Sequence, residues 1–158
     1  MKKEKATFGM GCFWSPQLLF SETKGVLKAD VGYMGGEEKK KNYSYEDVSY
    51  KNTGHAEVVQ IEFDSDKISY RELLRIFWTS HDPTTMNRQG PDIGKQYRSV
   101  IFYYNENQKK QAEESKRVYQ EETGNKKIVT QIIEAGIFYK AEEYHQDFLK
   151  KRGLKVCH

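Results

Sequence analysis

The chain is poor in cysteine, lacks any long apolar run and carries almost no charge bias. Its 158 residues include two cysteines, Cys12 and Cys157. That is too few for the disulfide framework of a small secreted domain. It fits a reducing compartment, where paired thiols tend to be catalytic and transient. No apolar segment approaches the roughly 18–20 residues of a membrane span. The basic start Met1-Lys2-Lys3-Glu4-Lys5 runs into Thr7, Gly9, Gly11 and Ser15, so no apolar stretch of signal type follows it. The expected localisation is cytoplasmic, with no membrane partner. The net charge of +3 is spread along the chain, which argues against a nucleic-acid partner. Its densest basic run, Lys39-Lys40-Lys41, reads as a solvated loop. Repeats and low-complexity linkers are absent as well. The length predicts one compact domain over 1–150, followed by a short tail over 151–158.

What is present in excess is aromatic: 13% of residues, including eleven tyrosines. So many phenols suggest a polar-aromatic site as well as a core. Alternation predicts strands over Glu4–Met10, Val26–Tyr33, Glu57–Phe63, Tyr97–Tyr104, Lys127–Glu134 and, shorter, Ile137–Tyr139. Helices are predicted over Cys12–Glu22, with Pro16 in its first turn, from the Ser69-Tyr70-Arg71-Glu72 cap onward, from Asn105 to Gly124, and over Glu143–Lys151. Two long polar stretches, 37–54 and 81–96, read as loops that belong to a site rather than a core. The elements do not alternate strictly. The expected fold is therefore α+β, a two-layer sandwich of helices on a mixed, largely antiparallel sheet with a ferredoxin-like core.

Gly11-Cys12-Phe13-Trp14 places a cysteine between a strand and a helix, beside two large rings. A helix N-terminus offers unpaired N–H groups and about half a positive charge, which favours thiolate over thiol. Cys12 is thus the candidate nucleophile, set against the plainer reading of a small buried hydrophobe. Glu57 opens an apolar strand beside Val58 and Val59, where desolvation would raise a carboxyl pKa and make it a proton donor, set against the plainer reading of a solvated strand-end acid. His55-Ala56-Glu57 matches half of a zinc deaminase pattern, but the Pro-Cys-x-x-Cys half and any other Cys/His cluster are missing, so no metal is expected. Tyr45 and Tyr97 lie in or beside the two loops, where a phenol can donate to a polarised oxygen, set against the plainer reading of a packing tyrosine for each. Asp92 orients a tyrosine or caps a turn. His145 reads as a satisfied core histidine.

Taken together, these segments resemble the A-type peptide methionine sulfoxide reductases over essentially the whole chain. The matching stretches are Gly11-Cys12-Phe13-Trp14, Gly32-Tyr33-Met34-Gly35-Gly36, Thr53-Gly54-His55-Ala56-Glu57, Phe77-Trp78 with His81-Asp82-Pro83-Thr84, Arg88-Gln89-Gly90 through Gln96-Tyr97-Arg98-Ser99, and Phe138-Tyr139 with Ala141-Glu142-Glu143-Tyr144-His145-Gln146. Each is weak alone; six in family order are specific.

The resemblance implies reduction of free and protein-bound methionine-(S)-sulfoxide. Cys12 would attack the sulfoxide sulfur and become a sulfenic acid. Glu57, Tyr45 and Tyr97 would serve the departing oxygen, Phe13 and Trp14 would wall the S-methyl group, and Asp92 would support the site. Cys157, on the tail, would resolve the sulfenic acid as a Cys12–Cys157 disulfide, which thioredoxin reduces. No bound cofactor is implied, and the chain is expected to be a monomer. Three departures stand out: Ser15 and Gln17 replace a glycine and an acid, Ser49-Tyr50-Lys51 replaces a Cys-Ser-Gly turn, and no second recycling cysteine follows Cys157. Two rival readings are a cysteine hydrolase with His55 as base, and a non-catalytic module that binds methionine peptides.

Overall fold

A computed structural model describes residues 1–124 and 126–154. The chain order is β1 (Lys3–Met10), α1 (Trp14–Ser21), β2 (Val26–Met34), α2 (Tyr45–Tyr50), β3 (Ala56–Asp64) and α3 (Tyr70–Thr79). A minimal hairpin, β4 (Arg88–Gln89) and β5 (Asp92–Ile93), and a 3-10 turn over Lys95–Tyr97 lead into β6 (Ser99–Tyr103). There follow α4 (Glu106–Thr123), β7 (Gln131–Glu134), β8 (Tyr139–Lys140), a 3-10 turn over Glu143–His145, and α5 (Phe148–Arg152).

Six strands form one sheet in the order β7-β6-β1-β3-β2-β8. All its pairings are antiparallel except β6 with β7, which are joined by the α4 crossover that a parallel pair requires. Within it, β1-α1-β2-β3-α3-β6 with spatial order β6-β1-β3-β2 is the ferredoxin-like arrangement expected from the sequence. Ala6, Phe8 and Met10 of β1 face the helices, where Phe8 meets Phe77 of α3 at 5.0 Å and Phe20 of α1 at 5.8 Å. On the opposite face Met34, Ala56, Val58, Val100 and Phe102 are buried beneath Ile133, Ala135 and Phe138. At Gly32 a Cβ would lie 2.4 Å from the Tyr139 carbonyl, so only glycine lets β8 dock there.

The helices follow from their caps and apolar stripes. Ser69 Oγ accepts the Glu72 N–H at 3.1 Å, and Leu73, Leu74, Phe77 and Trp78 of α3 are buried. Each such side chain contributes about 1.5–3 kcal/mol. By contrast, α4 buries only Gln108 and Ala112. Gln108 satisfies itself by accepting from Tyr104 N–H at 2.9 Å and donating to the Lys5 carbonyl at 2.7 Å.

Three expectations need correction. The 37–54 stretch contains α2, which starts at a capping box where Ser44 Oγ accepts from Asp47 N–H and the Asp47 carboxylate accepts from Ser44 N–H. Six residues are too few to show a helical period. The helix predicted over Glu143–Lys151 is two pieces, because Asp147 adopts φ 54°, a left-handed conformation that interrupts a right-handed helix. Its N–H goes instead to Gln17 Oε1 at 2.7 Å. The strand predicted from Lys127 begins at Gln131, since Ile128 N–H donates to Gln120 Oε1 and Val129 N–H to the Pro83 carbonyl.

Sheet register gathers one end of the domain. Tyr33 at the end of β2 pairs with Glu57 at the start of β3, and Met10 at the end of β1 pairs with Ser99 at the start of β6. Cys12 and Tyr97 therefore leave adjacent strands at the same edge.

Candidate active site

Gly11 turns the chain out of β1 with φ 92°. Cys12 follows, partly exposed, and Phe13 is the N-cap of α1. The sulfur thus sits just before the helix rather than inside it, as the sequence reading had begun it. No acid lies in the first turn of α1 to offset the positive end of the helix. Phe13 N–H donates to Glu57 Oε1 at 3.3 Å, which ties the cysteine turn to the start of β3.

Glu57 is 2% exposed. The Tyr97 phenol is held far above its ordinary pKa by burial, by the Glu57 charge, by a hydrogen bond with Tyr45 and by the Asp92 charge. Tyr45 is thus hydrogen-bonded to Tyr97, and Glu57 and Asp92 are near enough to act on the phenol electrostatically. Tyr97 stays a protonated donor throughout the physiological range. Through the Tyr45–Tyr97 bond, the Phe13–Glu57 bond and the strand register, Cys12, Phe13, Glu57, Tyr45 and Tyr97 gather at one end of the sheet, with Asp92 within electrostatic reach. Cys157 lies outside the described residues.

Four further groups complete the site. His145 sits among Phe13, Trp14, Tyr45 and Tyr144, with ring centroids at 5.3, 5.8, 5.4 and 4.2 Å. Its Nδ1 accepts the Trp14 indole N–H at 3.1 Å, so the neutral ring carries its proton on Nε2. Burial pushes its pKa down, against the pull of Glu142. Phe148 stacks on Trp14 at 3.6 Å with planes 5° apart, and the Arg152 guanidinium lies 3.7 Å over Phe148. Tyr33, fully buried, packs on Phe13 at 5.8 Å. Glu142 accepts from Tyr33 Oη, Tyr45 N–H and Tyr144 Oη at 3.1, 3.1 and 3.0 Å. Tyr33, Glu142 and His145 lay in recognised motifs and Phe148 did not, and the roles of all four depend on a turn with no sequence period.

Gln17, one of the departures, has a structural job. Its amide is 2% exposed, donates to the Ala29 carbonyl and to Gln146 Oε1, and accepts from Asp147 N–H. It latches the 141–147 segment to α1 and β2. His55 does not suit the hydrolase reading. Its Nδ1 accepts from Gly36 N–H at 3.0 Å, its ring packs on Tyr43 at 4.5 Å, and burial lowers its pKa. Among the described residues no group of three or more His, Cys, Asp or Glu is arranged to hold a metal ion.

Known proteins with the same plan are many. The family model described as "Peptide methionine sulfoxide reductase" matches residues 4–158. A peptide methionine sulfoxide reductase MsrA of Methanothermobacter thermautotrophicus is 54% identical over 157 residues, covering 98% of this chain and 91% of the relative. The crystal structure of reduced Mxr1 from Saccharomyces cerevisiae superposes with a TM-score of 0.90 at 38% identity, over 96% of this chain and 87% of that one. Mxr1 in complex with Trx2 superposes at 0.66 and 29% identity, over 91% of this chain and 84% of that one.

Proposed function

The chain belongs to the peptide methionine sulfoxide reductase family, and from that premise we propose the chemistry its site performs: reduction of free and protein-bound methionine-(S)-sulfoxide, recycled by thioredoxin. The observation that carries the reading is the convergence of a partly exposed Cys12, a buried Glu57 and the hydrogen-bonded pair Tyr45 and Tyr97 at one sheet edge.

Cys12 Sγ, as thiolate, attacks the sulfoxide sulfur. Negative charge grows on the sulfoxide oxygen, and Glu57, Tyr45 and Tyr97 donate to it there. Glu57 Oε1 accepts from Phe13 N–H, which holds the carboxyl against the cysteine turn. The oxygen passes to the cysteine sulfur: thiol and sulfoxide become sulfenic acid and thioether, two electrons having left Cys12. Phe13 and the Trp14–Phe148 stack form an apolar wall suited to the S-methyl group. Methyl on the apolar side and oxygen on the polar side admit one sulfur configuration, and Asp92 supports the tyrosine pair.

Cys157 then attacks the sulfenic sulfur, releasing water and leaving a Cys12–Cys157 disulfide that a thioredoxin dithiol reduces by exchange. The Mxr1 complex with Trx2 supports that partner. The test is an epimer-resolved assay followed by mass analysis of the protein. The S epimer should yield methionine and a Cys12–Cys157 link, and the R epimer neither. Equal consumption of both epimers, or turnover by Cys12→Ser at the parent rate, contradicts the reading.

A further inference from the structure

We propose that Glu142 is a positioning residue for the Tyr45 hydroxyl, holding α2 against the sheet so that the phenol meets the sulfoxide oxygen; this rests on the reading of Tyr45 as an oxygen donor.

The need for such an anchor follows from how α2 is built. It has six residues, and its capping box with Ser44 and Asp47 is internal to its own segment. The ion pairs of Asp47 with Lys40 and Lys51 are equally local. A helix this short has no independent stability in water. Its first residue, Tyr45, is one of those whose N–H has no partner within the helix.

Glu142 supplies that partner from a distant part of the chain. Its Oε2 accepts Tyr45 N–H at 3.1 Å, and the same carboxylate accepts the Tyr33 hydroxyl at 3.1 Å on Oε1. Tyr33 is a fully buried residue of β2 whose ring lies against Phe13. Tyr144 Oη adds a third donor from outside the residue at 3.0 Å. A carboxylate at a helix N-terminus is also favoured by the helix dipole. Burial works against ionisation of Glu142, but hydrogen bonds from its own backbone N–H, from the Tyr45 backbone and from the Tyr144 and Tyr33 hydroxyls hold its pKa below the usual value. Three residues on, His145 packs on the Tyr45 ring at 5.4 Å. One turn of chain thereby fixes Tyr45 twice, at its backbone through Glu142 and at its ring through His145.

A tyrosine hydroxyl stands at the end of a long lever. A swing of about 10° at the backbone moves it by about 1 Å, the scale of misplacement that costs on the order of 10²-fold in rate. Glu142 touches no reacting atom on this account, so its effect must pass through Tyr45.

The test is a double-mutant cycle on the intact chain, read as single-turnover methionine formation from a methionine-S-sulfoxide peptide without reductant. Glu142→Ala should lower the rate at saturating substrate about tenfold or more, with the half-saturating concentration within about twofold of the parent. Glu142→Gln should recover most of that loss, because its carbonyl still accepts from Tyr45 N–H. In a Tyr45→Phe background, Glu142→Ala should add less than about twofold. Equal losses in both backgrounds overturn the proposal while leaving the role of Tyr45 intact. A Tyr45→Phe chain that works at the parent rate overturns both. Should Glu142→Ala fail to fold, Glu142→Met, which keeps the bulk but offers Tyr45 N–H no oxygen acceptor, decides in the two backgrounds: a loss confined to the Tyr45 background supports the proposal, and its absence or its equal size in both overturns it.

Discussion

Replacing Gly11 by alanine should damage this protein twice, once in stability and once in turnover. Gly11 has φ 92°, and a Cβ there would lie 2.7 Å from both Cβ and Cγ of Gln89. A non-glycine residue in that conformation costs about 1–3 kcal/mol. Gln89 has little room to yield, because its amide makes two bonds to the Asp82 backbone, accepting from the N–H at 2.8 Å and donating to the carbonyl at 2.7 Å. Losing both adds about 1 kcal/mol each. The sum is about 3–5 kcal/mol if Gln89 is expelled, and about 1–3 kcal/mol if the turn alone absorbs the strain. Since Cys12 is the next residue, a shift of about 1 Å in the turn should cost on the order of 10²-fold in single-turnover rate. Urea unfolding and sulfoxide reduction measure the two losses separately. Gly11→Ala combined with Gln89→Gly, which removes both contacting atoms, should relieve the clash but neither the backbone strain nor the loss of the two Asp82 bonds. A Gly11→Ala chain with parent stability and parent rate would refute the reasoning about this turn.

Three more outcomes follow from the geometry. His81 is half-buried, its pKa pushed down to about 4 by desolvation, with Nδ1 donating to the Phe77 carbonyl at 2.6 Å and Nε2 on Ser99 Oγ at 2.7 Å. A depressed histidine pKa means the unfolded chain binds the extra proton first, so this stabilisation is complete above about pH 6.5 and is lost as pH falls toward about 4. The loss amounts to about 3 kcal/mol, and urea titrations should show it in the parent but not in His81→Gln. For Glu57, replacement by glutamine should cost less activity than replacement by alanine, since an amide still donates to the sulfoxide oxygen; equal losses would mean that proton transfer itself is required. Cys157→Ser should keep a single turnover and lose thioredoxin-driven cycling, and undiminished cycling would remove Cys157 from the mechanism.

The fold was legible in the sequence where periodicity is strong. The strands containing Phe8 and Ile61 and the helix with Leu73, Leu74, Phe77 and Trp78 are fixed by alternation, an apolar stripe and a Ser69 cap. Short elements governed by single contacts were not legible. The helix at Tyr45 has too few residues for a period, and the break at Asp147 exists because Gln17 takes its N–H across 130 positions of sequence. The site divides in the same way. Cys12 and Glu57 stand out by chemistry and by motif, Tyr97 by motif, and Tyr45 only through the family resemblance. Glu142, His145 and Phe148 matter through what they touch, and those contacts bridge a turn to strands and helices far away in the chain.

The most direct measurement mixes the reduced Cys157→Ser protein with one equivalent of a methionine-S-sulfoxide peptide, then follows peptide and protein by mass. The account predicts one methionine formed per chain, one oxygen gained at Cys12, and no reaction with the R epimer or in Cys12→Ser. Methionine appearing with Cys12 unmodified, or from a chain whose Cys12 is serine, would contradict it.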